Sequence, residues 1–440
     1  MRKPIILLIT LILIISSGFV SIAQTVSKSN EDKFTNNVLY TGDFEYVDPE
    51  WSTLWTLEEP PDGIRYCGYQ LVIDDKNSLI YVAGNTYNML DAKYNYILQY
   101  DLDGNLKNYK AWEKLDIFNG EHEQCNAMCV NDGNLYVAIA NPDSGKLIVE
   151  KYDKSFSEPK WHKTYEFIGE PAKMIFYNNN LYIVVLERPH PTKVTLIKVS
   201  ANNGDLKWSN SVGKNARLSA HIVPVGNHIY IGGTQKESAI SFNVYILKFN
   251  VDGNLVSKIV YNKNDWDNIF SLIYDGENLR AFFNTGYYCT STDIAMVKFN
   301  ENLKKVGEPK LLIDVADWNW GNYAIIHKDN IYIASNKMDE VGNNLFKKIA
   351  LLSKFNLEGD LIFNKVWARN SVSPSSSANG IAGYGTNLFV SGTDTSRVNQ
   401  NYGCNYLLKC NLDGSHPRNQ IFSRFPILKS LIENLLSRFK

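Results

Sequence analysis

The chain lacks an excess of charge of either sign. Its 440 residues include 45 Lys and Arg against 46 Asp and Glu, which gives a formal net charge of −1. A nucleic-acid-binding surface needs a clustered basic field, so this balance argues against nucleic acid as a partner. Hydrophobic residues make up 44% of the chain and charged residues 21%, as in an ordinary globular protein.

Familiar catalytic motifs are also missing. There is no Gly-x-Ser-x-Gly elbow, no His-Glu-x-x-His pair, no phosphate-binding Gly-Lys loop and no dinucleotide-binding fingerprint. We therefore name no catalytic residue, expect no cofactor, and favour a protein that is not an enzyme. A pair of acids assembled from distant parts of the chain would escape this search, so an enzyme remains the alternative.

Long apolar runs are absent except at the N-terminus. Arg2 and Lys3 precede an apolar run over residues 5–15, and Ser21-Ile22-Ala23 provides a small-x-small cleavage site. This pattern predicts a signal peptide over residues 1–23 and a protein that is secreted or associated with the cell envelope. An uncleaved membrane anchor is the alternative. Residues 24–50 are predicted to form a leader, polar and without periodicity at its start.

The dominant pattern of the chain is a repeat. An apolar strand recurs with spacings of 46 to 57 residues, at Tyr81, Tyr136, Tyr182, Tyr230, Arg280, Tyr332 and Phe389. A period near this length that holds several short strands is typical of β-propellers. Aromatic residues reach 12%, which suits a sheet-rich fold.

The fourth copy shows the predicted content of one repeat. Strands are expected over residues 219–224, 228–233, 244–250 and 255–261, and Asp252-Gly253-Asn254 is expected to make the last hairpin turn. We therefore predict an all-β, seven-bladed β-propeller of four-stranded antiparallel blades over residues 51–422. The strand-like residues 51–57 are expected to complete the seventh blade and close the ring, and residues 416–422 compete for that position.

Several repeat segments resemble the β-propeller repeat proteins of the SBBP type, which occur in exported bacterial and archaeal proteins. The resemblance lies in residues 81–84, 202–208, 230–233 and 292–300, and it extends over about residues 51–421. It implies a propeller fold and says almost nothing about activity. The fifth copy departs from the pattern, because Arg280 replaces the tyrosine and no glycine marks the turn near Glu301. Asp-Leu-Lys-Trp at residues 205–208 also resembles quinoprotein repeats, but those form eight blades and carry an adjacent cysteine pair.

Six cysteines in an exported chain suggest disulfides. Cys67 and Cys125 fall at similar places in adjacent copies and are the preferred pair. His122, Cys125 and Cys129 superficially resemble a metal-binding spacing. Because His122 and Cys125 would point to opposite faces of a strand, we expect no metal site.

The variable connections lie on one face of the predicted propeller. Turns between first and second strands, and between third and fourth strands, are short. The other connections include residues 85–95, 187–193, 284–292, 335–347 and 393–404. Long loops on a rigid scaffold are the usual place for binding. Near them, the candidate ligand-binding residues are Trp266, Trp318, Trp320, Tyr287 and Tyr288. The alternative is that these rings pack under their own loops.

The C-terminal residues 423–440 are predicted to form a short amphipathic helix. One face would carry Ile427, Leu428, Leu431, Ile432, Leu435, Leu436 and Phe439. Contact with a membrane surface or envelope component and docking on the propeller itself both remain open. The leading functional hypothesis is a monomeric binding scaffold for an extracellular polymer or protein, acting through the long-loop face. The alternative is an extracellular polymer-active hydrolase or lyase with its site at the channel mouth.

Overall fold

A computed structural model describes residues 45–47, 49–55, 65–87, 94–113, 126–140, 146–187, 193–212, 216–238, 241–287, 291–314, 318–340, 346–367, 376–394 and 404–414. These residues form strands, turns and irregular connections, and none of them belongs to an apolar helix long enough to cross a membrane. The predicted signal peptide (1–23), the leader up to residue 44 and the predicted helix (423–440) lie outside the described residues.

Seven consecutive four-stranded antiparallel units can be traced through the described ranges. The first contains β3 (Arg65–Asp74), β4 (Leu79–Tyr87), β5 (Tyr94–Asp101) and β6 (Leu106–Glu113). The second contains β7 (Asn126–Asn131), β8 (Asn134–Ala140), β9 (Lys146–Tyr152) and the first part of β10 (Trp161–Tyr177). The third contains the rest of β10, β11 (Asn180–Glu187), β12 (Lys193–Ser200) and β13 (Leu206–Val212).

The remaining units follow the same order. The fourth contains β14 (Ala216–Val225), β15 (His228–Lys236), β16 (Phe242–Asn250) and β17 (Leu255–Tyr261). The fifth contains β18 (Trp266–Tyr274), β19 (Leu279–Tyr287), β20 (Ser291–Phe299) and β21 (Lys305–Ile313). The sixth contains β22 (Trp318–His327), β23 (Asn330–Glu340), β24 (Phe346–Asn356) and β25 (Leu361–Trp367). The seventh contains β26 (Ser376–Tyr384), β27 (Asn387–Asp394), β28 (Cys404–Asn411) and β2 (Trp51–Trp55).

The four strands predicted in the fourth copy are all present. β14 begins three residues earlier than predicted, β15 ends three residues later, and β16 begins two residues earlier. β17 has the predicted bounds. The difference has a simple cause, because Thr234, Gln235 and Lys236 continue the antiparallel pairing with β16 although they are polar.

Apolar clusters join each unit to the next. The units pack in the order first to seventh, and a further cluster packs Leu71 and Tyr96 of the first unit against Phe389 and Leu407 of the seventh. The first strands of consecutive units lie side by side throughout this series, and β26 lies beside β3. First strands that surround a common axis, with the other three strands extending outward, define a β-propeller.

Closure occurs through the strand predicted for it. Trp51 to Trp55 pair antiparallel with Lys409 to Asn405 on β28, so the two ends of the described chain share one unit. A hydrogen bond from Asn405 to the hydroxyl of Tyr96 adds a polar link across the closure. The competing segment, residues 416–422, lies outside the described residues.

The end of the predicted leader is part of the sheet. Glu45 and Tyr46 form β1, which pairs parallel with Lys365 and Val366 of β25. Val47 is buried, and its N–H donates to the Val366 carbonyl at 2.9 Å. The predicted leader, residues 24–50, therefore contains a short strand near its end.

A cationic contact repeats between units. The ammonium of Lys248, on a third strand, lies 5.6 Å from the ring centroid of Tyr230 on the second strand. It donates at 2.9 Å to the carbonyl of Glu301, in the third-to-fourth hairpin of the next unit, and the Tyr230 hydroxyl donates to the same carbonyl at 2.7 Å. We call this arrangement the inter-unit clamp. Equivalent contacts are made by Lys151 over Tyr136 reaching Ala201, and by Lys198 over Tyr182 reaching Val251.

Arg280 explains why the fifth copy departs from the repeat. It occupies the second-strand tyrosine position, and its guanidinium reaches forward to donate to the carbonyl of Leu357 in the hairpin of the sixth unit. Its Nε lies 2.5 Å from Oδ2 of Asp275, and both side chains are almost fully buried. One arginine thus makes the forward contact that the lysine makes elsewhere.

Hairpin turns between third and fourth strands require a positive φ. Gly253 has a φ of +91°, and an added Cβ there would lie 2.8 Å from the ring of Trp208 in the preceding unit. Phe156 and Leu303 take the same position in the second and fifth units, with φ of 52° and 59°. Their side chains are buried in the apolar clusters between units. In the fifth copy, Leu303 therefore takes the place of the missing glycine and adds apolar packing.

Bulges in the first strands create a second set of links. The pairing of β22 with β23 shifts between Gly321 and Tyr323. The side-chain amide of Asn284, from the preceding unit, donates to the Gly321 carbonyl at 3.2 Å and accepts from the Gly321 N–H at 2.7 Å. A bulge frees backbone groups that a neighbouring side chain can satisfy, and this ties the units together close to the axis.

Replacing Gly253 by Ala should destabilise the protein more than replacing Gly276 by Ala. Both glycines have a φ above +90°, but a Cβ at Gly276 meets nothing within 4 Å. Gly276→Ala should therefore cost about 1 kcal/mol for backbone strain, and Gly253→Ala about 1–3 kcal/mol more for the contact with Trp208. Urea unfolding of both variants measures the difference, and equal losses would contradict the described packing.

Replacing Arg280 by Met should lower the free energy of unfolding by about 3 kcal/mol, because Asp275 is left as a buried charge without its partner. Lys304→Met is the matched control, since Lys304 is exposed in a hairpin of the same unit. Adding Asp275→Asn to the arginine variant should recover part of the loss in urea unfolding. A loss no larger than that of Lys304→Met would refute the clamp role of Arg280.

Candidate functional site

The predicted variable face corresponds to the end of the ring where second strands end and third strands begin; we call it the loop face. Some of its predicted loop residues are strand. In the fifth unit, for example, β19 continues to Tyr287 and β20 begins at Ser291, although the whole stretch from 284 to 292 was expected to be loop. The connections that remain on this face lie largely outside the described residues.

Three of the predicted aromatic residues lie on the loop face, at the starts of the first strands of the fifth and sixth units. Trp266 is the first residue of β18, Trp318 is the first residue of β22, and Trp320 follows two positions later. The ring centroids of Trp266 and Trp320 are 5.1 Å apart with an interplanar angle of 49°. Trp266 is only 9% exposed, whereas Trp318 and Trp320 are half-buried.

The buried ring of Trp266 therefore packs against the half-buried ring of Trp320. The edge of Phe242 also packs against Trp266, with centroids 6.3 Å apart at 86°. Tyr287 is the last residue of β19, and its side chain lies outside the described part, as does the whole of Tyr288.

Backbone pairing between neighbouring units fixes the aromatic positions. Phe242 on a third strand pairs parallel with Trp266 at the start of the next unit, and Thr292 pairs in the same way with Trp318. The hydroxyl of Thr292 donates to the carbonyl of Asn319 at 2.9 Å. The starts of β18 and β22 are thus held by the third strands of the preceding units, which makes this part of the face rigid.

Asp267, beside Trp266, has a structural role. It is buried, and it accepts hydrogen bonds from the Thr285 hydroxyl at 2.7 Å and from the backbone N–H groups of Lys263 and Asn264. Burial is the largest influence on this carboxyl and raises its pKa in spite of these donors. Asp267 shapes the loop before β18 and is not presented to a ligand.

A hydrogen-bonded pair of carboxyls, Asp293 and Asp314, lies on the same face. Asp293 is half-buried near the start of β20, and Asp314 follows the last residue of β21 and is exposed. Burial first, and then the charge of Asp314, raise the pKa of Asp293, while Lys263 and a hydrogen bond to Asn319 act in the opposite direction. Two carboxyls this close cannot both ionise without mutual repulsion, so protonation of one is favoured.

Sequence reasoning missed this acid pair, although a signal was present. Ile294 pairs with Ile313 across the third and fourth strands, which places the next residues, 293 and 314, beside each other. Both strands could be expected from the repeat. The missing glycine between them left the hairpin register unfixed, and the pair was therefore not recognised.

The chemistry available here is that of a recognition surface. Two half-buried indoles, a carboxyl pair and an amide lie at one unit junction, and such groups can stack on an apolar ring face and hydrogen-bond to hydroxyl or amine groups. Within the residues that the structure describes, no group of three or more His, Cys, Asp or Glu side chains is arranged to hold a metal ion.

The cysteines that can be placed are structural. Cys129 and Cys410 are buried thiols in apolar clusters, and burial raises the pKa of Cys410 to about 12. Thiols of this kind are unreactive. The preferred disulfide pair lies outside the described part, since Cys125 and the side chain of Cys67 are not described.

No protein-family model matches the chain. No curated protein matches it either. Among solved structures it is similar to one described as hydrazine synthase from Kuenenia stuttgartiensis, with 10% identity, a TM-score of 0.52, and coverage of 80% of this chain and 96% of that chain. It also matches BamB from Moraxella catarrhalis, with 12% identity, a TM-score of 0.41, and coverage of 84% and 98%.

A further match is the β-propeller domain of the trilobed protease from Pyrococcus furiosus, with 14% identity, a TM-score of 0.45, and coverage of 80% of this chain and 97% of that chain. The first structure is the one of these three with a TM-score above 0.5, and at 10% identity its likeness to this chain concerns the fold alone.

The carboxyl pair predicts a pH dependence of stability. The folded state binds the proton of Asp293 more tightly than the unfolded state, so this group lowers stability as the pH rises from the ordinary aspartate value through the raised pKa. Asp293→Asn should therefore raise the urea midpoint at pH 7 relative to the wild type, and raise it less at pH 4. Asp252→Asn, on an exposed turn, is the control. A shift of equal size at both pH values would contradict the pairing.

Proposed function

We propose that this protein is an exported, seven-bladed β-propeller that acts as a binding scaffold for an extracellular polymer or protein through its loop face. The observation that carries the proposal is the junction of the fifth and sixth units. There, Trp318 and Trp320 are half-buried, and the hydrogen-bonded carboxyls of Asp293 and Asp314 lie on the same face. Aromatic rings with one accessible face and nearby hydrogen-bonding groups are typical of ligand sites on rigid scaffolds.

A polysaccharide fits this junction best. An indole can cover the apolar face of a sugar ring, and carboxyl and amide groups can bind its hydroxyls. Parallel backbone bridges hold the starts of the strands that carry Trp266 and Trp318, and the ring of Trp266 packs against Trp320, so little order is lost on binding. A protein partner is the second kind of ligand, since tryptophans are also frequent at protein interfaces.

Location outside the cytoplasm is part of the proposal, because residues 1–23 have the pattern of a signal peptide. We also propose that the chain is of the SBBP type, that it is a monomer, and that residues 423–440 form the amphipathic helix that contacts a membrane surface or the envelope. These statements rest on the sequence pattern.

A hydrolase or lyase that acts on an extracellular polymer is the second candidate function. It is favoured by the carboxyl pair, because a carboxyl with a raised pKa holds a proton that it can give to a leaving group. In this case Asp293 would be the acid, and the tryptophans would hold the polymer beside it.

Binding should depend on the two half-buried tryptophans. Trp318→Ala and Trp320→Ala together should weaken binding to a panel of soluble polysaccharides, measured by calorimetry, by about tenfold or more, which corresponds to about 1.4 kcal/mol. Tyr109→Ala is the matched control, because Tyr109 is an exposed aromatic on an outer strand. Equal affinity of the double variant and the wild type would refute the site. Binding to peptides on an array, without binding to any polysaccharide, would show that the ligand is a protein.

The same panel separates the two candidate functions. A scaffold leaves the polysaccharides intact, whereas an enzyme releases shorter products that chromatography detects. Loss of product in Asp293→Asn with retained binding would establish the enzyme and overturn the scaffold.

A further inference from the structure

Three side chains from first strands meet near the axis of the ring. Lys173 lies on β10 in the third unit, His221 on β14 in the fourth unit and Tyr323 on β22 in the sixth unit. The ammonium of Lys173 is 4.4 Å from the ring centroid of Tyr323, and the rings of His221 and Tyr323 are 6.4 Å apart at 61°. Because the third and sixth units are not neighbours, the contact of Lys173 with Tyr323 crosses the channel.

Two of these side chains are buried, Tyr323 is half-buried, and the described residues provide none of the three with a hydrogen-bonding or ionic partner. Lys173 is 7% exposed and His221 is 8% exposed. Throughout the described part of the chain, neither the Lys173 ammonium, the imidazole of His221 nor the hydroxyl of Tyr323 forms a hydrogen bond or an ion pair with another residue. A buried ammonium normally has a counterion, and a cation–π contact offsets only about 2 kcal/mol of its desolvation.

The cluster carries one positive charge. Burial, the larger influence, and the nearby charge of Lys173 both lower the pKa of His221 well below its ordinary value, so the imidazole is neutral. A neutral imidazole has one N–H donor, the phenol has one O–H donor, and the ammonium has three donors. The combination of one cation and two neutral donors suits an anion with several acceptor oxygens.

We propose that the centre of the ring is a binding site for a small oxyanion, a phosphate or a carboxylate group, held by the ammonium of Lys173, the hydroxyl of Tyr323 and the imidazole of His221. The site is separate from the loop-face junction and does not depend on the proposed function. The donors come from three units, so an anion bound among them would also link these units across the axis.

The test uses the full mature chain and two probes, inorganic phosphate and acetate, each titrated against chloride at constant ionic strength. Saturable stabilisation in urea unfolding and binding heat in calorimetry are expected for the wild type, since a ligand of the folded state stabilises in proportion to the logarithm of its concentration. The probe with the stronger effect identifies the chemistry as phosphate or carboxylate.

Lys173→Met should weaken the binding by about tenfold or more, and Tyr323→Phe, which keeps the ring, should weaken it by about threefold or more. Lys304→Met, an exposed lysine, should bind as the wild type does. Without any oxyanion, Lys173→Met should be at least as stable as the wild type, because it removes an unpaired buried charge.

No saturable response of the wild type to either probe would overturn the proposal. So would an unchanged response of Lys173→Met, or a stability of this variant below the wild type in chloride alone, which would show that the ammonium serves only the packing against Tyr323.

Discussion

Each four-stranded unit has two apolar faces, and only neighbouring units can cover both. This constraint governs the rest of the structure, because a face left open would expose a row of Ile, Val, Leu and Tyr side chains to water. The inter-unit clamp gives the packing a direction. In the second, third and fourth units, a lysine of the third strand reaches forward and donates to a backbone carbonyl in the hairpin of the next unit, so stacking in the reverse sense would leave these polar groups without partners.

The fold was largely predictable because its signals are local and repeated. Alternating apolar residues and glycine turns predicted the strands of the fourth unit to within three residues, and the need to close the ring predicted the role of Trp51 to Trp55. The parallel strand of Glu45 and Tyr46 was not predictable, because only tertiary packing brings these two residues beside β25. The role of Arg280 was not predictable either, because its guanidinium donates to the carbonyl of Leu357 in the next unit.

The candidate site was less accessible to sequence reasoning. The tryptophans could be chosen because they follow loops, but their unequal burial depends on how Phe242 and Trp266 pack across two units. Asp293 and Asp314 needed an exact strand register, and Lys173 with Tyr323 needed the closed ring. Contacts that depend on the curvature and closure of the ring cannot be predicted from the spacing of residues along the chain.

The pairing of β2 with β28 also has a consequence for the order of events during biogenesis. Trp51 is made early, and its partner Lys409 is made more than 350 residues later. The ring therefore cannot be sealed until residue 409 has been made, and the seventh unit keeps an unpaired edge until then. Contacts of such long range also slow folding. The strand that closes the finished ring is thus among the first segments made and among the last to be paired.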